Sequence, residues 1–229
     1  MPSDLTSLDA LVASPFGRLA RLLEGFAPGA APIDLSLGEP RAPLPDFVTP
    51  ILASHAGEFS RYPPIKGLPE LRGAIAAWMG RRYPNLESRI DPETQVLPLN
   101  GSREGLFSAI FPALARKTVP GRPAVLIPNP FYQAYAAATA ASGAEPVFLP
   151  SGADTGFLPD LDTIDTALLD RSIAFYLCSP SNPQGAVADA DYLTRAIALA
   201  RRHDFLLFAD ECYSEIYTDV APPGPCRRP

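Results

Sequence analysis

The sequence predicts an α/β fold: a largely parallel sheet with helices packed on both of its faces. Three observations predict it. Short apolar runs, rich in branched and aromatic residues, recur at residues 95–99, 124–127, 146–149, 173–178 and 205–209. Most are apolar at consecutive positions rather than alternating, which suits strands buried on both faces. Between them lie segments with helical spacing, long enough to carry the chain over a sheet and start a parallel neighbour.

From the N-terminus, Leu8, Leu11, Val12, Leu19, Leu22 and Leu23 fall at helical spacing. Ser14-Pro15 supplies an N-cap and a first-turn proline, which places the main helix at residues 15–24. A short strand is expected at 33–37, a Pro-rich connector from 38 to 50, and a helix over about 46–57. Residues 68–82 read as a helix with Leu71, Ile75, Trp78 and Met79 on one face. The strand at 95–99 leads into a helix over 102–116. The strand at 124–127 leads into an Ala-rich helix over 133–142, which Gly143 ends. A strand at 146–149, a short helix at 161–169, a strand at 173–178, a helix at 189–203 and a strand at 205–209 complete the pattern. No internal repeat is visible.

Composition narrows the functional classes. The 229 residues carry 19 Lys+Arg against 25 Asp+Glu, a net charge of −6, and 47% are hydrophobic. There is material for a sizeable core, so a fully disordered chain is excluded. The acidic balance, with no Lys/Arg stripe, argues against nucleic acid as a partner. No apolar run reaches membrane-spanning length. The opening MPSDLTSLDA has an acid and no basic stretch, unlike a secretory signal. Cys178, Cys212 and Cys226 form no CxxC, which suits reduced thiols and a cytoplasmic location. His55 and His203 are the only histidines and stand far apart, so no His-rich metal site and no Ser-His-Asp signature can be built on them. Lysine is scarcer than any of these counts suggest: only Lys66 and Lys117 occur, and every other basic residue is arginine.

In parallel sheets, ligands bind beyond the carboxyl ends of the strands. The first core strand is followed by Asn100-Gly101-Ser102-Arg103-Glu104, and the second by Pro128-Asn129-Pro130-Phe131-Tyr132. The later two are followed by Ser179-Pro180-Ser181-Asn182-Pro183-Gln184-Gly185 and by Asp210-Glu211-Cys212-Tyr213. Gly101, Ser102 and Arg103 can offer backbone N–H groups and a hydroxyl to a phosphate at a helix start, or simply cap that helix. Tyr132 can stack on a flat ring, or pack at a helix start. Asn182 can bond a ring hydroxyl, or sit in an ordinary Asn-Pro turn. Asp210, directly after an apolar strand, needs a cationic or N–H partner if buried, and otherwise serves as an N-cap. Tyr213, one helical turn on, can face the same way.

Together these motifs recur in a known order. The sequence resembles the fold-type I, pyridoxal-phosphate-dependent aminotransferases of class I/II. The resemblance rests on Ser36-Leu37-Gly38-Glu39-Pro40, on Tyr62-Pro63-Pro64-Ile65-Lys66-Gly67-Leu68-Pro69-Glu70-Leu71-Arg72, and on the three motifs beginning at Asn100, Ser179 and Ala209. It runs from about residue 15 to 220. The segments around Ser102 and Tyr132 are most similar to the succinyldiaminopimelate aminotransferase branch, which serves lysine biosynthesis.

The resemblance implies a three-layer α/β/α large domain with a mixed, mostly parallel sheet. It places an N-terminal arm and part of a small domain at 1–45, the cofactor-binding large domain at 46–220, and a linker-like tail at 221–229. It implies pyridoxal 5'-phosphate as cofactor, amino acid and 2-oxo acid substrates, and a homodimer. Asp210 would pair with the pyridinium nitrogen, Asn182 and Tyr213 would bond the phenolic oxygen, and Tyr132 would stack on the ring. Gly101, Ser102 and Arg103 would hold the phosphate. Tyr62 would reach the phosphate of the neighbouring subunit, and Gly38 would lie near the substrate carboxylate.

The sequence departs from the family in one respect. The lysine that forms the Schiff base with the cofactor lies, in the family, beyond the DExY motif. Here no lysine follows Tyr213, and neither Lys66 nor Lys117, the latter expected in a solvated turn, occupies that position. The later arginines for phosphate and substrate carboxylate are also missing. The stretch 221–229 has four prolines in nine residues and no periodicity. It reads as a linker or as out-of-frame translation of a GC-rich gene. The expectation is therefore an inactive fragment, cut before the last strands of its sheet and partly molten on its own. Two other readings stay open: another fold-type I enzyme, such as a carbon–sulfur lyase or decarboxylase, and a non-catalytic binding module derived from this fold.

Overall fold

Four of the apolar runs find one another. β1 (Ala124–Asn129), β2 (Glu145–Pro150), β3 (Ser172–Cys178) and β4 (Leu206–Asp210) form a sheet in the order β2-β1-β3-β4. Every pair is parallel, so all four strands end on one edge. The computed structural model describes residues 15–31, 33, 38, 42–84, 86 and 90–226. The strand expected at 33–37, most of the first sequence motif and the last three residues lie outside them.

The chain divides into two units, Ala13–Leu68 and Pro69–Pro229. In the first, α1 (Pro15–Leu23) and α2 (Val48–Ser54) are followed by a 3-10 turn at Ala56–Ser60. Phe16, Leu22, Leu23, Ile51 and Leu52 of these helices are more than half exposed. The second unit holds the sheet and six helices: α3 (Pro69–Arg82), α4 (Ser102–Ser108), α5 (Ile110–Arg116), α6 (Gln133–Ala141), α7 (Thr166–Arg171) and α8 (Ala190–Arg202).

Side chains on successive strand residues point to opposite faces, and that alternation builds two cores. Val125, Ile127, Ala174 and Tyr176 pack with Ile110 and Ala113 of α5 and with Tyr135, Ala136 and Ala138 of α6. Leu126, Phe175 and Leu177 pack on the other face with Leu169 of α7 and Leu193, Ala196 and Ala200 of α8. The fold is therefore the expected helix–sheet–helix sandwich. Asp165 and Asp189 start α7 and α8 by accepting from Ala167 N and Tyr192 N at 2.6 and 2.7 Å.

Four local expectations change. Residues 95–99 form no strand. Pro98 removes a ladder donor, no described strand pairs with the segment, and Leu97 and Leu99 are 62% and 55% exposed. The helix expected over 102–116 is two helices that part at Ala109. Pro112 has no N–H to give to the carbonyl of Ser108, so the ladder is interrupted there. On α3 the apolar face stays outside, with Leu71 and Trp78 at 47% and 39% exposure, and Arg72 is buried instead. Its guanidinium bonds the Pro92 carbonyl at 2.9 Å and the Glu93 carboxylate at 2.5 Å, which makes burial of the charge tolerable. Finally, Lys117 does not lie in a solvated turn. Its Nζ donates to the carbonyls of Ser172 and His203 at 2.8 and 2.6 Å, and burial pulls its ammonium below the usual lysine range.

No helix among the described residues is long and apolar enough to cross a membrane. Among those residues β4 has β3 on one side and no strand on the other. Amide exchange is expected to follow this order. The central strands β1 and β3 should exchange slowest and residues 96–100 fastest, read by mass spectrometry on peptides. Equal exchange in the two groups would contradict the pairing described.

Candidate functional site

Asp210 ends β4 and is only 8% exposed. Its cross-strand partner is Cys178, the last residue of β3. A carboxylate buried at a strand end must find donors, and it finds two. Oδ2 accepts from the Tyr135 hydroxyl at 2.5 Å, and Oδ1 accepts from the Cys212 backbone N–H at 3.2 Å. Asp210 thus does what an N-cap does, but no helix follows: residues 211–214 are turns, and a turn rather than a helix carries Tyr213. Among the described residues no basic side chain forms an ion pair with Asp210.

Tyr135 was not foreseen from the sequence. It lies in the first turn of α6, three residues after Tyr132, and that spacing puts both rings on one side of the helix start. It is 1% exposed and stacked on Tyr176, with ring centroids 4.4 Å apart and an interplanar angle of 12°. Tyr132 meets it edge-on at 5.7 Å. The Tyr176 hydroxyl donates to the Leu106 carbonyl at 2.7 Å, which ties the stack to α4. Burial pushes the phenols of Tyr135 and Tyr176 well above the ordinary range, and at Tyr135 the bond to Asp210 pushes in the same direction.

Two further pairs line this edge. Asn182 Nδ2 donates to the Tyr213 hydroxyl at 3.0 Å. The loop that presents Asn182 is closed by Ser181: its N–H reaches the Ala186 carbonyl at 2.8 Å, and its Oγ accepts from Ala186 N at 3.0 Å. Gly185 in that loop has φ 74°, a conformation glycine adopts without strain. Arg103 Nε donates to the Tyr132 hydroxyl at 2.5 Å. Ahead of Arg103, Gly101 at φ 134° turns the chain into α4. Ser102 and Arg103 are exposed. The sequence gave Arg103 a backbone role only; its guanidinium also pairs with the tyrosine.

The turn that carries Tyr213 is clamped from α3 and the residue after it. Arg82 bonds the Glu215 carboxylate, the Ser214 carbonyl at 3.2 Å and the Pro222 carbonyl at 3.0 Å. The Tyr83 hydroxyl donates to the Glu211 carboxylate. Burial raises the Glu211 carboxyl above its ordinary value.

Of the residues singled out from the sequence, Asp210, Asn182, Tyr213, Tyr132, Gly101, Ser102 and Arg103 belong to the Pro69–Pro229 unit. Each of them follows a strand or opens a helix beside the sheet. Gly38, Tyr62 and Lys66 belong to the other unit and are exposed, Tyr62 fully. Lys117 bonds Ser172, the first residue of β3, whereas Asp210 is in register with Cys178, the last. At a strand rise of about 3.3 Å per residue, Lys117 sits about 20 Å from the Asp210 edge.

This donor set suits a flat heteroaromatic ring: a buried carboxylate for a protonated nitrogen, an Asn–Tyr pair for a phenolic oxygen and an aromatic face for stacking. Comparison with known proteins agrees. The family described as aminotransferase class I and II matches residues 30–223. The chain belongs to the class I and II aminotransferases.

Within that family, the chain is similar to an LL-diaminopimelate aminotransferase of Dehalococcoides mccartyi. The two are 35% identical over 201 residues, which are 87% of this chain and 50% of the relative. The solved structure of an aminotransferase from Neisseria meningitidis matches with a TM-score of 0.84 and 38% identity, covering 95% of this chain and 56% of that one. An N-succinyldiaminopimelate aminotransferase from Mycobacterium tuberculosis matches with a TM-score of 0.65 and 32% identity, covering 79% and 45%. The chain therefore spans about half the length of the aminotransferases it matches.

Two predictions follow from the tyrosines at and around this edge. Replacing Tyr135 with Phe leaves a buried carboxylate oxygen without its donor and should cost about 1–3 kcal/mol, read from the urea midpoint. The second concerns pH. Burial pushes the phenols of Tyr83, Tyr135, Tyr176 and Tyr192 above the ordinary 10.0. Above pH 10 the folded chain therefore holds more protons than the unfolded one, and stability must fall as pH rises. The urea midpoint should be flat approaching pH 10 and drop beyond it, with phenolate absorbance appearing as the chain unfolds.

Proposed function

We propose that this chain carries the cofactor cradle of a pyridoxal-phosphate aminotransferase, which moves an amino group between an amino acid and a 2-oxo acid. The observation that carries the reading is Asp210. It is a carboxylate buried at the end of a central apolar strand, held by Tyr135 and Cys212 N with no basic partner among the described residues. A protonated ring nitrogen is the partner such a group lacks.

In this reading Asp210 holds the proton on the cofactor's ring nitrogen, and Tyr135 keeps the carboxylate aimed. Asn182 and Tyr213 bond the phenolic oxygen, and Tyr132 covers one ring face. Gly101, Ser102 and Arg103 hold the phosphate, while Tyr62 supplies a further contact across a homodimer. Gly38 leaves room beside the substrate carboxylate. When bound, the pyridine ring supplies an electron sink for chemistry at the substrate's α-carbon. Residues 46–220 form the cofactor-binding domain, 1–45 the arm and part of a small domain, and 221–229 a linker-like tail. The setting is cytoplasmic.

For substrate, the relatives named for LL-diaminopimelate and N-succinyldiaminopimelate support an amino donor of the diaminopimelate type, and with it a place in lysine biosynthesis. Neither lysine serves as the covalent amine of the reaction. Lys117 is held by two carbonyls at the far end of the sheet, and Lys66 lies in an exposed turn outside the site's unit.

The test is binding followed by trapping. The 229-residue chain should bind pyridoxal phosphate saturably, and Asp210→Ala should weaken it at least about tenfold, as loss of a charged hydrogen-bond partner does. Borohydride treatment should leave no pyridoxyl group on Lys66 or Lys117 by peptide mass, and the chain should not transaminate diaminopimelate. Absence of saturable binding would refute the cradle. A trapped adduct on either lysine would refute the lysine assignment.

A further inference from the structure

We propose that Cys178, Asp210 and Cys212 form a binding site for one thiophilic divalent cation, of the zinc or cadmium type. Among the described residues, the two sulfurs and a carboxylate oxygen of these side chains all lie within 4.8 Å of one another. The fold brings them together for a local reason. Cys178 and Asp210 end neighbouring parallel strands in register, so their side chains leave the same face of the sheet. The bond from Cys212 N to Asp210 Oδ1 folds the chain back just after β4 and returns the Cys212 thiol to the strand end.

Tetrahedral zinc takes Zn–S near 2.3 Å and Zn–O near 2.0 Å, which sets neighbouring ligand atoms about 3.3–3.8 Å apart. Closing the cluster to that size asks for a shift of about 1 Å, and Cys212, which is exposed, can provide it by side-chain rotation. The ligand set is also selective. Two thiolates with one carboxylate favour soft or borderline cations over magnesium or calcium. The carboxylate is already oriented, because Tyr135 donates to its other oxygen at 2.5 Å, the kind of outer contact that fixes a metal ligand. The exposed side at Cys212 leaves a route in and a fourth position for water. Cys226 lies outside the cluster and serves as the internal control.

The cation site stands without the cofactor reading. If that reading also holds, the two ligands exclude each other, because both need Asp210.

The experiment is a cadmium titration of the fully reduced 229-residue chain without pyridoxal phosphate. It follows thiolate-to-metal absorption in the ultraviolet, with calorimetry for stoichiometry. One cadmium per chain is expected, and magnesium should give no signal. Cys178→Ser and Cys212→Ser should each lower affinity at least about tenfold, while Cys226→Ser leaves it unchanged. Cys212 is exposed, so its variant should keep the wild-type circular dichroism, and loss of binding there reports the ligand rather than the fold. No cadmium binding, binding indifferent to Cys178 and Cys212, or binding lost with Cys226 would overturn the site. In a second arm, pyridoxal phosphate should weaken cadmium binding. If cadmium binds as expected and saturating cofactor leaves it unchanged, the fault lies with the shared use of Asp210 and not with the thiol site.

Discussion

A carboxylate at the end of a buried strand has to be solvated by the protein itself, and the organisation of this chain follows from how that is done at Asp210. The hydroxyl comes from Tyr135 on α6, the N–H from Cys212 in the next turn. To deliver the hydroxyl, Tyr135 must lie flat against Tyr176 of β3, whose own hydroxyl is spent on the Leu106 carbonyl of α4. One hydrogen bond therefore couples β4, α6, β3 and α4. Removing any of these elements would leave a buried charge or a buried phenol without its partner, and both are costly.

Parallel pairing supplies the other half of the arrangement. Since every strand runs the same way, the loop bearing Asn182, the turn bearing Tyr213 and the helix start bearing Tyr132 all emerge on the edge where Asp210 sits. Side chains far apart in sequence thus gather without any single segment containing the site. Membership in the class I and II aminotransferases is consistent with this, because the matched region, residues 30–223, spans every one of these loops.

How much of this could be read from the sequence depended on whether the signal was local. β1 and β3 were legible because their apolar runs are uninterrupted and end in polar, turn-forming residues. Asp210, Asn182 and Tyr213 were legible because each stands at a fixed distance beyond such a run. The segment at 95–99 was not, because a strand needs a neighbour as well as apolar residues, and Pro98 weakens its ladder. Tyr135 was hidden inside an Ala-rich helix, where an aromatic reads as core; only its spacing of three from Tyr132 hinted at the edge. Lys117 was misjudged because its two carbonyl partners, at Ser172 and His203, are 55 and 86 residues away in sequence. Arg72 inverted the expected face of α3 for the same reason: Pro92 and Glu93 lie outside any window that periodicity can see.

The clamp formed by Arg82 and Tyr83 has a kinetic meaning. Its partners lie between 128 and 140 residues further along the chain, at Glu211, Ser214, Glu215 and Pro222. The turn it fixes carries Tyr213 and adjoins Asp210. Contacts of such long sequence separation pay their loop-closure entropy before they return any stability, so they form late. The two cores can condense from neighbouring strands and helices while this turn is still loose. The last part of the molecule to take shape is then the part that holds the ligand, and its geometry is set by a helix laid down more than a hundred residues earlier.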